Sequence, residues 1–310
     1  KARSENRFSD FAPVLTQLIE LKKKWAEYVF PKLKAYDANI DIYERGTTMS
    51  DITPVFETLK KELIPLIRDI KLSDYNPESS FLTGEFSVAK QEVLGRRISE
   101  EMGFAFDCGR IDVSVHPFCG GSHPTDVRIT TRYRNDNFIE SLYAVIHETG
   151  HGLYEQGRMK EGRDLPASEA LTMGIHESQS LFWERMIAQS PAFCNSYLPL
   201  IKETFPKNFR DVSAEQLYEA VNISEASYIR VEADEVTYPM HVILRYEIEK
   251  AISIAISDRP GPVVLDIPYN IQVSEIDPDD LKSWQHDYNF GRYLLGPYQP
   301  SQNKTMNNSM

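Results

Sequence analysis

Ala144–Gly157 reads AVIHETGHGLYEQG, and the spacing of its histidines governs how the rest of the chain is read. His147 and His151 stand four residues apart with Glu148 between them, while Gly150 and Gly152 weaken the helix that such spacing needs. Phe138, Leu142, Val145, Ile146 and Leu153 recur at helical intervals on either side, which predicts one amphipathic helix through the motif. On that helix the two imidazoles project from one face about one turn apart and can share an ion. Glu148, rotated by roughly 100°, can reach a water beside it. This is the geometry of a zinc hydrolase, and a catalytic zinc takes three protein ligands and keeps a fourth position open.

A third ligand is therefore expected. Gly157 occupies the place where an extended motif would carry a third histidine, so the third ligand is a carboxylate or nothing. Pro166-Ala-Ser-Glu169 reads as a helix start, and Leu171, Ile175, Leu181, Phe182 and Met186 as the buried face of that helix. It offers Glu169, Glu177 and Glu184, which spacing alone does not rank.

Outward from this centre the period stays helical. Leu15, Leu18, Leu21, Trp25 and Val29 fall three or four apart, and so do Phe56, Leu59, Leu63 and Leu66, with Ile67 beside them. One region alternates instead: Arg110–His116 and Thr125–Tyr133, with Pro117 and Cys119–Pro124 supplying turn residues between them. The predicted fold is mainly α: a multi-helix, zincin-like groove with a small antiparallel β-hairpin ahead of the HExxH helix.

Composition excludes several classes. Lys and Arg total 34 against 46 Asp and Glu, a formal charge of −12, which argues against nucleic-acid or anionic-membrane surfaces. Lys22-Lys23-Lys24 reads as a solvated helix face. The three cysteines, 108, 119 and 194, form no C-x-x-C pair, so neither a disulfide framework nor a thiolate zinc site is expected. No apolar run reaches the ~18 residues of a membrane span and no signal peptide opens the chain, so a cytoplasmic setting is expected. The first residue is Lys, which suggests an N-terminus cut back from a longer protein.

Several blocks in order resemble the M32 metallocarboxypeptidase (carboxypeptidase Taq-like) family: His116-Pro-Phe118, Asp126-Val-Arg128-Ile-Thr130, His147-Glu-Thr-Gly-His151, His176-Glu-Ser-Gln179 and Ile229-Arg-Val-Glu-Ala-Asp234. Tyr36–Gly46 and Thr237–Arg245 also look like family segments. The resemblance covers about residues 1–252 and implies removal of single residues from the free C-terminus of peptides. It implies His147, His151 and Glu177 as ligands to one Zn²⁺ per chain, with Co²⁺ or Mn²⁺ as substitutes, and Glu148 as general base. A carboxypeptidase must grip a carboxylate, and a planar guanidinium does so through two parallel hydrogen bonds. Arg230 is the expected clamp; Arg128 is the second candidate, better suited to holding the hairpin, and His116 joins the substrate-binding set. Tyr238 and His241, about one helical turn apart, are candidates to stabilise the oxyanion. Peptides are the implied partners, and homodimeric members of the family allow a homodimer.

The departures from the family bear on activity. Its members are longer, and their closing block G-x-x-Q-D-x-H-W is absent; Trp284-Gln-His-Asp287 carries similar letters in another order. Ser257–Gln272 resembles a segment of thiamine-diphosphate-dependent decarboxylases and acetolactate synthases, yet no Gly-Asp-Gly diphosphate motif accompanies it. The expected organisation is a catalytic region over 1–252, an unrelated extended segment over 253–282 and a polar, disordered tail over 283–310. The alternative function is a non-catalytic helical fragment that keeps the zinc ligands without a complete substrate cleft.

Overall fold

Capping residues explain where several helices begin. Asp51 accepts from the Thr48 amide at 2.9 Å ahead of α3 (Met49–Leu72), and Ser213 and Gln216 cap α9 (Ala214–Val221) reciprocally at 3.1 and 2.8 Å. Ser190 caps α7 (Pro191–Thr204), whose first residue is the proline best tolerated there. The other helices are α1 (Phe8–Val29), α2 (Ala35–Asp41), α4 (Val88–Met102), α5 (Ile139–Gln156), α6 (Met173–Leu181), α8 (Pro206–Phe209) and α10 (Tyr238–Ala255). The structure is a computed structural model that describes residues 7–255 except 160, 171, 229, 231 and 232, together with residues 2 and 5. The expected segments 253–282 and 283–310 lie outside the described residues, apart from 253–255, which close α10.

The chain divides into two compact units, one of Lys1–Lys24 with Met240–Met310 and the other of Trp25–Pro239. In the first, Ala12, Met240, Ile243 and Tyr246 are buried. The helices expected around Leu15–Val29 and Phe56–Ile67 both form. On α1, however, the small Ala12 and Ala26 are buried while Leu18 and Leu21 remain exposed. Periodicity identifies a helix without saying which face finds a partner.

The second unit is built on α4, α5 and α7. Leu94 and Ile98 of α4, Leu142 and Ile146 of α5, and Leu198 and Ile201 of α7 share one buried core. Phe86, Phe138, Phe205 and Phe209 complete it, with Phe138 tilted against Phe205 (ring centroids 4.9 Å) and edge-on to Phe209 (5.3 Å). A smaller core of Phe104, Val127 and Ile129 lies under the sheet.

That sheet corrects the expected hairpin. The strand at Arg110 is present as β1 (Gly109–Val113) and the one at Thr125 as β3 (Asp126–Thr131), but they pair in parallel, Arg110 opposite Arg128. The segment expected to turn, Cys119–His123, is itself strand β2 and pairs antiparallel with β3, giving the order β1-β3-β2. Alternation marks a strand but not its neighbour. Here the two residues Pro124 and Thr125 join β2 to β3 as the tight turn, and Gly121 permits it: at φ 153°, a Cβ there would lie 2.1 Å from the Asp126 carbonyl.

The reading of the next helix is also corrected. Pro166–Ser168 is a single 3₁₀ turn, and α6 starts at Met173 with the Thr172 hydroxyl accepting from the Ile175 amide at 3.3 Å. Ile175, Phe182 and Met186, expected to be buried, are exposed; Leu181 is half-buried and Leu171 lies outside the described residues. The buried residues of α6 are His176 and Ser180. This helix turns a polar face inward because it packs on the histidine-bearing helix α5.

Candidate metal centre

Helix α5 places its two kinds of side chain on different faces. Leu142, Val145 and Ile146 are buried, while His147, His151 and Glu155 run along another face at i, i+4 and i+8. The two glycines of the motif now have a physical account. A Cβ on Gly150 would lie 2.7 Å from Ser180 Cα and 2.8 Å from the Gln179 carbonyl, so the bare glycine lets α6 approach α5 at backbone contact. Gly152 does the same for the sheet side, where a Cβ would meet the Phe104 ring at 2.6 Å.

That close approach delivers Glu177. Its Oε2 stands 3.2 Å from His151 Nε2 and its Oε1 3.6 Å from His147 Nε2. One donor atom from each of His147, His151 and Glu177 lies within 4.8 Å of the other two. The three carboxylates left open by spacing thus separate. Glu184, on a π-helical turn (Phe182–Ile187) that continues α6, takes His147 Nδ1 at 2.7 Å. Glu169 is exposed and lines a cavity of about 300 Å³ together with Glu155 and His176.

Both imidazoles are held from behind. Arg185 pairs with Glu184 at 3.0 Å and donates to the Ala233 carbonyl at 3.1 Å, which ties the His147 partner to the chain just after Arg230. His151 Nδ1 lies 2.6 Å from His176 Nδ1, and His176 Nε2 lies 2.9 Å from Glu155, itself paired with Arg158 at 2.9 Å. The sequence reading assigned no role to His176, Glu155 or Arg185. Glu155 was within its reach, because it falls four residues after His151 on the same face.

The electrostatics suit a cation. Burial pushes the Glu148 carboxyl up to about 7, and its Oε2 is buried without a partner. Burial disfavours the charged form of His147, yet the hydrogen bond and charge of Glu184, with Glu148 and Glu177, raise its pKa above the ordinary value. The hydrogen bond from His151 holds the Glu177 carboxyl below the usual range. Two imidazoles and a carboxylate, surrounded by further carboxylates, are a donor set for a divalent ion. The Cys119 thiol, pushed up to about 12 by burial and by the charges of Glu148 and Glu155, has no thiolate to add to it.

The remaining candidates fall elsewhere. Arg230 donates to the Tyr238 hydroxyl at 2.8 Å, so these two form a second pair. Arg128 projects from the exposed face of β3 with its guanidinium held by both oxygens of Asp126, each at 2.9 Å. His116 is exposed in the loop between β1 and β2. His241 is half-buried on α10, and its carbonyl accepts from Arg245 at 2.7 Å.

An HExxH helix closely packed against a second helix that presents a glutamate defines a helical metallopeptidase-type centre. The chain belongs to the carboxypeptidase Taq (M32) metallopeptidase family, whose model matches residues 1–259, and a divalent metal goes with that membership. It is 41% identical over 264 residues to carboxypeptidase 1 of Bacillus subtilis, covering 84% of this chain and 53% of that one. It is 38% identical over 261 residues to thermostable carboxypeptidase 1 of Thermus thermophilus, covering 81% and 51%. The crystal structure of an M32 carboxypeptidase from Deinococcus radiodurans superposes with a TM-score of 0.75 at 36% identity, over 81% of this chain and 50% of that one. The chain spans about half the length of the curated relatives it matches. No helix among the described residues is long and apolar enough to cross a membrane.

Proposed function

We propose that the chain carries the zinc centre of a carboxypeptidase that releases single residues from the free C-terminus of peptides. The observation that carries this reading is the convergence of His147, His151 and Glu177 within 4.8 Å beside Glu148, which is buried and whose Oε2 has no hydrogen-bond partner. When bound, zinc supplies Lewis acidity that activates water and polarises a carbonyl; Co²⁺ and Mn²⁺ suit the same donors. Glu148, poised near neutrality by burial, accepts a proton from the attacking water and passes it to the leaving amine. Arg230 binds the terminal carboxylate. Its bond to the Tyr238 hydroxyl uses an oxygen lone pair and leaves the phenolic proton to donate to an oxyanion, with His241 one turn further along α10. His116 and Arg128 complete the proposed substrate-binding set.

Metal analysis combined with release of a free amino acid from an N-blocked dipeptide tests this reading. The protein is expected to bind one zinc per chain and to cut the free acid about 10- to 150-fold faster than the amide, the value of a charge-assisted pair of ~1.5–3 kcal/mol. Glu148→Gln is expected to retain zinc and lose activity by about 10²- to 10⁴-fold. Equal cleavage of acid and amide would replace the carboxypeptidase with an endopeptidase. The second reading is a helical fragment that keeps the ligands without catalysis. Zinc bound with no amino acid released would establish it.

A further inference from the structure

The two candidate histidine ligands are braced by different chemistry. His147 offers Nδ1 directly to a carboxylate, Glu184, at 2.7 Å. His151 offers Nδ1 to another imidazole, that of His176, at 2.6 Å. His151 and His176 are both buried, with exposures of 7% and 8%, so a neighbouring protein group, not bulk water, must satisfy each nitrogen.

The protons can be placed by elimination. His151 Nε2, which faces Glu177 and donates to it in the metal-free site, must give up that proton to ligate, so in the metal-loaded protein the single proton of the neutral ring sits on Nδ1. Two facing nitrogens 2.6 Å apart cannot both carry protons, so His176 Nδ1 is the acceptor and its own proton sits on Nε2. Glu155 Oε1 accepts that proton's hydrogen bond at 2.9 Å. Glu155 is in turn fixed by Arg158 at 2.9 Å, and Arg158 donates to the Ser168 carbonyl at 2.7 Å. Every donor in this row has one acceptor, so the row has a single orientation.

We infer that His176 is a positioning residue: by accepting the His151 Nδ1 proton, and being set by Glu155, it locks His151 in the tautomer that presents Nε2 to the metal. This rests on the metal-centre reading above. The partner that orients a ligating histidine is worth typically ~10- to 100-fold in metal affinity. His176 therefore belongs to the affinity of the centre although it touches no substrate. Helix α6 supplies both this brace and the ligand Glu177 from adjacent residues.

Chelator competition on the purified chain and two variants tests the inference. His176→Phe keeps a ring but no acceptor, and zinc affinity is expected to fall about 10- to 100-fold. His176→Asn places an amide oxygen near the former Nδ1 and should recover most of that loss. Unfolding of the metal-free proteins checks that Phe is tolerated. A measurement that needs no variant is ¹⁵N–¹H correlation of the imidazoles in the zinc-loaded protein: protons are expected on His151 Nδ1 and His176 Nε2. Unchanged affinity in His176→Phe, or a proton on His176 Nδ1, overturns the inference while leaving the metal centre standing. A parent chain that takes up no zinc overturns the metal-centre reading itself, and this inference with it.

Discussion

Helices α5 and α6 pack against each other at the candidate centre, yet they are held by opposite means. On α5 the apolar stripe is buried, with Val145 and Ile146 each 1% exposed, and the ionisable row occupies a separate face. On α6 the order is reversed: Ile175 is 55% exposed, while His176 and Ser180 are buried. α5 is placed by hydrophobic burial; α6 is placed by polar contacts and by the absence of a side chain at Gly150. The lesson is that one helix of a closely packed pair can be anchored in the core while the other is positioned by polar contacts.

Three substitutions probe that contrast, beginning with the largest effect. Ile146→Ala removes a fully buried side chain from the core of α5 and is expected to cost about 2–5 kcal/mol in denaturant unfolding. A cost under about 1 kcal/mol would mean that α5 is not anchored by its stripe. Gly150→Ala should gain roughly 1 kcal/mol of helix propensity but drive a methyl into backbone of α6, a clash of about 1–3 kcal/mol. A net loss near ~1 kcal/mol is expected, together with weaker zinc binding as Glu177 is pushed away; a stabilised variant with unchanged zinc would show that α6 has room to move. Ile175→Thr alters only an exposed position of α6 and is expected to change stability by no more than about 0.5 kcal/mol. A loss of 2 kcal/mol or so would show an apolar partner for that face.

The sheet shows a different boundary between what could and could not be read. Alternation located β1 and β3, because Val127 and Ile129 are buried while Arg128 between them is exposed. It did not reveal that Cys119–His123 is a strand, since Cys-Gly-Gly-Ser-His has the composition of a turn and gains its ladder only from β3. Arg110 and Arg128, brought side by side in the parallel register, are each neutralised by an aspartate two residues along their own strand. That pattern is legible only once the pairing is known.

By itself the sequence determined the HExxH helix, its apolar stripe and the mainly α character, and restricted any third ligand to a carboxylate, because these follow from local period and from the stereochemistry of one helix. Resemblance in ordered blocks narrowed that carboxylate to Glu177. Only the tertiary structure separated Glu177, Glu184 and Glu169 physically, as group facing the imidazoles, brace of His147 and exposed side chain, and only it placed His176 behind His151. The reason is that a ligand's brace is chosen by a contact of about 3 Å between two helices, and that contact depends on how closely backbones approach. Here the approach is set by a missing Cβ at Gly150, whose effect appears only when the second helix is in place.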